Sequence, residues 1–117
     1  MGNWSLRQYR SVFDEFYQRD CDEDTRDAID QRLARLLEEG NMARAPVSKH
    51  LEDGIFELRA KNARMLYYFD TGRLIVVAVC FLKDQPKVPR KHIEQAKRIR
   101  GIISAGQERT SGTHFTH

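Results

Sequence analysis

The sequence predicts an α+β domain: N-terminal helices packed on one face of a small antiparallel β-sheet, followed by a C-terminal helix. Three observations carry this. An apolar stripe of helical period runs through residues 24–39, three β-rich runs joined by tight turns fill residues 54–82, and Pro89 opens a second helical stripe. With 117 residues, 40% hydrophobic and 32% charged, the chain has the size for one core and a composition that is neither disordered nor fibrous. One domain is expected over residues 1–104, with residues 105–117 as a flexible tail because GQERTSGTHFTH has no periodicity.

The start, WSLRQYRS, reads two ways: Trp4, Leu6 and Gln8 alternate as in a strand, while Leu6, Tyr9 and Phe13 also fit a helix. From Ser11 a helix to about Arg19 is predicted, since Ser11 and Asp14 resemble a capping box and Phe13, Phe16 and Tyr17 share a face. The clearest helix is DEDTRDAIDQRLARLLEEG, with Ile29, Leu33, Leu36 and Leu37 on one stripe. Asp22 to Asp24 supply its N-cap and favourable charge at the positive dipole end, and Gly40 suits its left-handed terminus.

Residues 41–53 read as a connector punctuated by Pro46. Strands are predicted at Gly54–Ala60, Ala63–Phe69 and Leu74–Leu82, with Lys61-Asn62 as a two-residue turn and Asp70-Thr71-Gly72-Arg73 as a second tight turn. The run LIVVAVCFL is apolar on both faces and so belongs at the covered centre of the sheet. After LKDQPKVP, Pro89 suits the first position of a helix reaching about Ile103, with Ile93, Ala96, Ile99 or Arg100, and Ile103 buried. Arg90, Lys91, Lys97 and Arg98 flank that stripe.

Charge is divided unevenly. Residues 1–40 hold ten acids and six bases, whereas residues 41–117 hold fourteen bases and seven acids, which places any anionic partner against the later part. No stretch approaches the roughly 20 apolar residues of a membrane span and MGNWSLRQYR lacks a signal-peptide core, so a cytoplasmic location without membrane contact is expected. Cys21 and Cys80 are too few and too far apart for a disulfide framework or a zinc site, and both read as reduced and structural. No metal or cofactor is implied.

A two-residue Lys61-Asn62 turn sets Arg59 directly opposite Arg64. If the next turn holds two or four residues, Phe69 pairs with Leu74 and Arg64 with Val79. That register gathers Arg59, Arg64, Tyr68, Phe81 and Lys83 on one face with Ile75, Val77 and Val79; Leu58, Met65, Tyr67, Phe69, Leu74, Val76, Ala78, Cys80 and Leu82 take the other. A three-residue turn would flip the third strand. Like charges across a strand pair are destabilising. Two accounts of the pair stand: Glu57, Glu52 or Asp53 neutralises it or both guanidinium groups reach water, or the pair binds an anion, whose phosphate form matches the planar arginine fork. Lys83 on the same face, the nearby Lys87, Arg90 and Lys91, and the stacking surfaces of Tyr68 and Phe81 favour the second account and a single-stranded RNA ligand.

The blocks DGIFELR, RMLYYFDTGRLIVV and FLKDQPKVPRKHIEQAKR resemble the HigB-like branch of the RelE/ParE superfamily, toxins of bacterial type II toxin–antitoxin pairs, over roughly residues 25–100. The resemblance implies helices on one sheet face, a basic active surface on the other, and metal-independent cleavage of messenger RNA on the ribosome through attack of a 2′-hydroxyl on the adjacent phosphate. It assigns Arg59 and Arg64 as phosphate clamps, Lys83 as a second clamp or proton carrier, and Lys87 as a contact to RNA phosphates; His92 or Tyr68 would move protons. It also implies a helix-turn-helix antitoxin as partner and leaves the oligomeric state open. Asp84 stands where a second cation is usual, Pro86 disturbs the loop, Val88 replaces a threonine, and His92 replaces a glutamate. Two alternatives remain: a ParE-like gyrase inhibitor, and a catalytically weakened module that binds nucleic acid or antitoxin. His50, His114 and His117 receive no role.

Overall fold

The structure is a computed structural model that describes residues 3–44 and 47–115; Pro46 and His117 lie outside the described residues. Strand β1 (Ser5–Gln8) leads into α1 (Val12–Arg19) and α2 (Glu23–Glu39), and a single 3-10 turn at Gly40–Met42 follows. Then come β2 (Lys49–Glu52), β3 (Ile55–Ala60), β4 (Ala63–Asp70), β5 (Leu74–Leu82), α3 (Arg90–Ser104) and β6 (Ser111–Gly112). One six-stranded sheet results, in the order β2-β3-β4-β5-β1-β6. All pairings are antiparallel except β1 with β5, which is parallel. Among the described residues no helix is long and apolar enough to cross a membrane.

The α+β class holds, but the layers differ from expectation. Helices α1 and α2 cover one sheet face: Phe13, Phe16, Ile29, Leu33 and Leu36 pack on Leu58, Met65, Tyr67, Ile75 and Val77. Helix α3 covers the other, where Ile93, Ala96 and Ile99 pack on Ile55, Leu66, Tyr68, Val76 and Val79. That second face is therefore no open basic surface. Only the end of the sheet beyond α3 stays accessible, and the candidate site lies there.

The β4–β5 register explains which sequence groupings survive. The loop between Asp70 and Leu74 holds three residues, with Gly72 and Arg73 at φ +79° and +57°, and Asp70 rather than Phe69 pairs with Leu74. That flips Leu74 to Val77 relative to the expected faces, so Ile75 and Val77 lie under α1 and α2 while Leu74 and Val76 turn toward α3. A bulge then leaves Ala78 unopposed, because Tyr67 pairs with Val77 and Leu66 with Val79. One extra residue restores the parity. Beyond it Met65 pairs with Cys80 and Arg64 with Phe81, so Phe81 shares the Arg64 face as expected.

Helix termini follow local chemistry, with substitutions. Asp22 caps α2 by accepting from Thr25 N at 2.8 Å. Gly40 ends α2 at φ +56°, and a Cβ there would run into the Trp4 indole, so the residue answers both a backbone and a packing need. Ser11 makes no side-chain cap. The buried Gln8 amide does so instead, its Oε1 accepting from Phe13 N at 3.0 Å and Asp14 N at 3.1 Å. Pro89 is the N-cap of α3 and not its first residue as expected, so the helix starts one position later, at Arg90. Both cysteines are free, and burial pushes their thiols up.

Two segments were unforeseen. Strand β2 lies inside the expected connector, joined to β3 by Asp53 and Gly54 at φ +50° and +78°, the two positive values a type I′ hairpin demands. The expected flexible tail is instead held against β1 as far as Phe115. Arg7 Nη2 donates to Thr110 O at 2.7 Å, Gln8 Nε2 donates to Gly112 O at 2.7 Å, and His114 Nδ1 lies 2.6 Å from Asp14 Oδ1. Because periodicity reports only packing that repeats, a segment anchored through single polar contacts leaves no such trace.

Candidate nucleic-acid interface

The site is built from the β3–β4 hairpin upward. Lys61 turns the chain at φ +54°, Ala60 pairs with Ala63, and Arg59 pairs with Arg64, as the two-residue turn predicts. The turn's carbonyls then need donors. Arg64 Nη1 supplies Lys61 O at 2.7 Å and Ala63 O at 2.9 Å, while Lys83 N donates to Asn62 O at 2.7 Å. Arg64 is thus a buried tie between the turn and the start of β4, and this accounts for its exposure of only 8%.

What allows two guanidinium groups to face each other is a third residue. Glu57 precedes Arg59 by two positions, so its side chain projects from the same face, and it is 1% exposed. Its Oε1 accepts from Arg59 Nε at 2.7 Å, and its Oε2 lies 3.6 Å from Arg64 Nε. A buried carboxylate without such partners would be very costly, and so would the buried Arg64. Burial pulls the Arg64 guanidinium below its ordinary value; Glu57 opposes the shift and Arg59 adds to it. An arginine nevertheless stays charged in such settings. The first account is thus met through Glu57, which neutralises one charge, and one remains.

That remaining charge is available. Arg59 is bound only through Nε, its side chain is 47% exposed, and its two Nη groups have no partner among the described residues. It lines a narrow cleft with Arg64, Phe81 and Lys83, and the loop from Asp84 to Pro89 closes the other side. Lys83 and Lys87 are exposed and form no ion pair among the described residues. Asp84 stands in the wall and reduces the positive field, so the lining carries four cations against the two carboxylates of Glu57 and Asp84.

Other expected site residues lie elsewhere. His92 stands one layer behind, its ring stacked on Phe81 with centroids 4.0 Å apart and planes 11° from parallel. It fixes Phe81 and does not line the cleft. Its Nδ1 is buried without a partner, and burial together with Lys91 pulls the imidazole below its ordinary value against the opposing effect of Asp84. Tyr68 is 4% exposed beneath α3, its hydroxyl unpartnered and its phenol pushed up to about 12, mainly by burial, then by Asp70. It cannot reach a ligand there. Arg90 is held by Glu52, through Nη2 at 2.7 Å and a second short bond from Nη1, and by Glu94. Lys97 joins the same cluster through Glu52 and Asp53, so these charges fasten α3 to the β2–β3 turn. Lys91 is exposed on α3 away from the cleft. Glu57 was foreseen only as a neutraliser, and its two-residue spacing to Arg59 is the signal that marks it. Among the described residues no three His, Cys, Asp or Glu side chains converge as metal ligands.

The family model described as phage derived protein Gp49-like (DUF891) matches residues 17–100, which takes in α2, the hairpins, the cleft and most of α3. The chain belongs to that family. Gp49-like proteins fall within the RelE/HigB-like group of toxin–antitoxin toxins, so membership carries a toxin role and an antitoxin partner. No curated protein matches the chain. The matched span includes every residue of the Arg59 cleft, and the β1 strand and the docked C-terminal segment lie outside it.

Proposed function

We propose that this Gp49-like protein is a HigB-like toxin that cuts messenger RNA on the ribosome. One observation carries the reading: Arg59 is anchored through Nε to a buried carboxylate while its Nη fork stays free on the wall of a cationic cleft. A donor held in place before the reaction stabilises developing charge without reorganising, and the fork matches two phosphoryl oxygens. In the proposed reaction the ribose 2′-oxygen attacks the adjacent phosphorus, the bond to the 5′-oxygen breaks, and a 2′,3′-cyclic phosphate remains. Arg59 holds the phosphoryl oxygens. The 2′-proton passes to a base, for which Asp84 is the exposed carboxylate of the lining, and Lys83 donates a proton to the leaving 5′-oxygen. Phe81, backed by His92, offers a surface for an unstacked base. Ribosomal RNA supplies the rest of the site, and a helix-turn-helix antitoxin neutralises the toxin.

Primer extension on translated messages after induction tests this. Codon-linked cuts that vanish with Arg59→Ala are expected; parent protein that arrests growth without any cuts would remove the nuclease reading. A second reading, a binding module of weakened chemistry, is favoured by Asp84 in the cleft wall and by the engagement of Arg64 with backbone carbonyls. RNA binding that falls steeply with salt and is never accompanied by cleavage belongs to it.

A further inference from the structure

The cations of the cleft form part of a longer row. Arg64 is paired with Phe81 and with Arg59 on either side, and one strand further Lys49 of β2 pairs with Glu57, two residues before Arg59 on the same face. Lys83 just past the end of β5, Arg64 on β4, Arg59 on β3 and Lys49 on β2 thus form a diagonal series on one sheet face, about 14 Å wide across the strands at the usual strand spacing. Next to Arg59 lies a second groove of about 290 Å³, lined by Lys49 and Leu51 of β2, by Lys87 and Val88 of the loop before α3, and by Ile93 of α3. The two depressions share Glu57, Arg59, Pro86, Lys87 and Val88, so they adjoin along one face.

Its charge is uncompensated. Among the described residues Lys49 and Lys87 form no ion pair, the Arg59 fork is free, and the one carboxylate that lines the groove, Glu57, is occupied by the two arginines. The neighbouring acids Glu52 and Asp53 are taken by Arg90 and Lys97. A groove with cationic rims and an apolar floor fits a nucleotide, whose phosphate and base need those two environments side by side.

We infer that the β2-side groove is a second nucleotide subsite: single-stranded RNA enters it from the Arg59 cleft, Lys49 and Lys87 hold the phosphate next to the one cut, and that nucleotide's base rests on Leu51 and Val88. The inference rests on the reading of the Arg59 cleft as an RNA-cutting site. It makes β2 a determinant of sequence preference, since the groove contacts a base and the Arg59 cleft contacts chiefly phosphate.

Two measurements on the full chain decide it. In a cell-free translation reaction, Lys49→Glu is expected to raise the half-saturating toxin concentration about 5–10-fold and Leu51→Gln to redistribute cuts among codons; Arg59→Ala abolishes cutting. Unchanged half-saturation and an unchanged cut distribution in both β2 variants, with Arg59→Ala inactive, would overturn the subsite and leave the nuclease reading intact. If the parent itself makes no cuts, the nuclease reading falls, and an amide-shift titration with a trinucleotide RNA decides the groove alone. Shifts at Lys49, Leu51 and Val88 with the trinucleotide, absent with a mononucleotide, support the subsite; shifts confined to Arg59, Arg64 and Lys83 overturn it. The folded amide spectrum of each variant separates loss of contact from loss of fold.

Discussion

Glu57 accepts a hydrogen bond from Arg59 Nε at 2.7 Å through a carboxylate that is itself 1% exposed. The pair joins a sealed interior anion to a surface cation, so its two members do different work. Glu57 compensates charge for the buried Arg64 as well, from 3.6 Å, and Arg59 presents what remains to solvent.

Glu57→Ala is therefore expected to lower stability by about 3 kcal/mol or more, because a buried guanidinium loses its counter-ion. Glu57→Gln keeps shape and one hydrogen bond and loses less. Urea unfolding of both variants beside Arg64→Ala checks this, and additive losses for Glu57→Ala and Arg64→Ala would show that the two side chains are not coupled.

Arg59→Ala has the opposite profile. Arg64 remains as a counter-ion to the buried Glu57, so the stability loss is expected to be smaller than that of Glu57→Ala, whereas removal of a preorganised donor slows phosphoryl chemistry roughly 10²–10³-fold and takes cuts below detection. Arg59→Lys is expected to recover only part of that rate, as a single ammonium does not reproduce the fork. Toxicity and cut yield, read beside the melting temperature, separate the two effects.

The cluster of Glu52 with Arg90 and Lys97 predicts behaviour in acid. Hydrogen bonds from Arg90 and then Lys97 lower the Glu52 carboxyl to about 2, below an ordinary unfolded value of about 4.5. A depressed carboxyl stabilises the fold fully above the unfolded value, and that contribution is lost as pH falls from about 4.5 through about 2. Amide protection in the β2–β3 turn and the first turns of α3, taken relative to the intrinsic exchange rate at each pH, should fall over that window and stay flat between pH 5 and 7. In Glu52→Gln this part of the acid dependence should be absent.

Deleting residues 107–117 removes the partners of Arg7 and Gln8 and uncovers the β1 edge. With a few net hydrogen bonds at about 1 kcal/mol each, a loss of about 2 kcal/mol and roughly 10 °C in Tm is expected. Aggregation on heating should also rise, since an exposed strand edge is a template for pairing. A deletion variant with the parent's Tm would show that the segment contributes nothing to the fold.

Much of this architecture was legible because it repeats. Ile29, Leu33 and Leu36 mark α2, Ile93, Ala96 and Ile99 mark α3, and alternation with a two-residue turn sets Arg59 opposite Arg64. What escaped notice was signalled in single residues. Asp53-Gly54, a hairpin dipeptide, announces β2, but with the connector ending at Asp53 and the strand beginning at Gly54 the dipeptide is split and Lys49 falls outside the expected sheet. The three-residue loop at Thr71–Arg73 and the bulge at Ala78 each shift parity by one; because they cancel, Phe81 fell on the right face for an incomplete reason.

The sequence by itself determined the α+β class, the strand pair that carries the arginines, and the basic residues that follow them, since these depend on local period and composition. Tertiary structure alone decided which of those cations face solvent. Lys83, Lys87, Arg90 and Lys91 are equivalent in a sequence, but Arg90 meets Glu52 across 38 residues, and Arg64 is drawn inward by the carbonyls of its own turn. Tyr68 is sealed beneath α3 for the same reason. Whether a charge is free depends on which opposite charge the fold brings within a few ångströms, and that distance is fixed only when the chain has closed on itself.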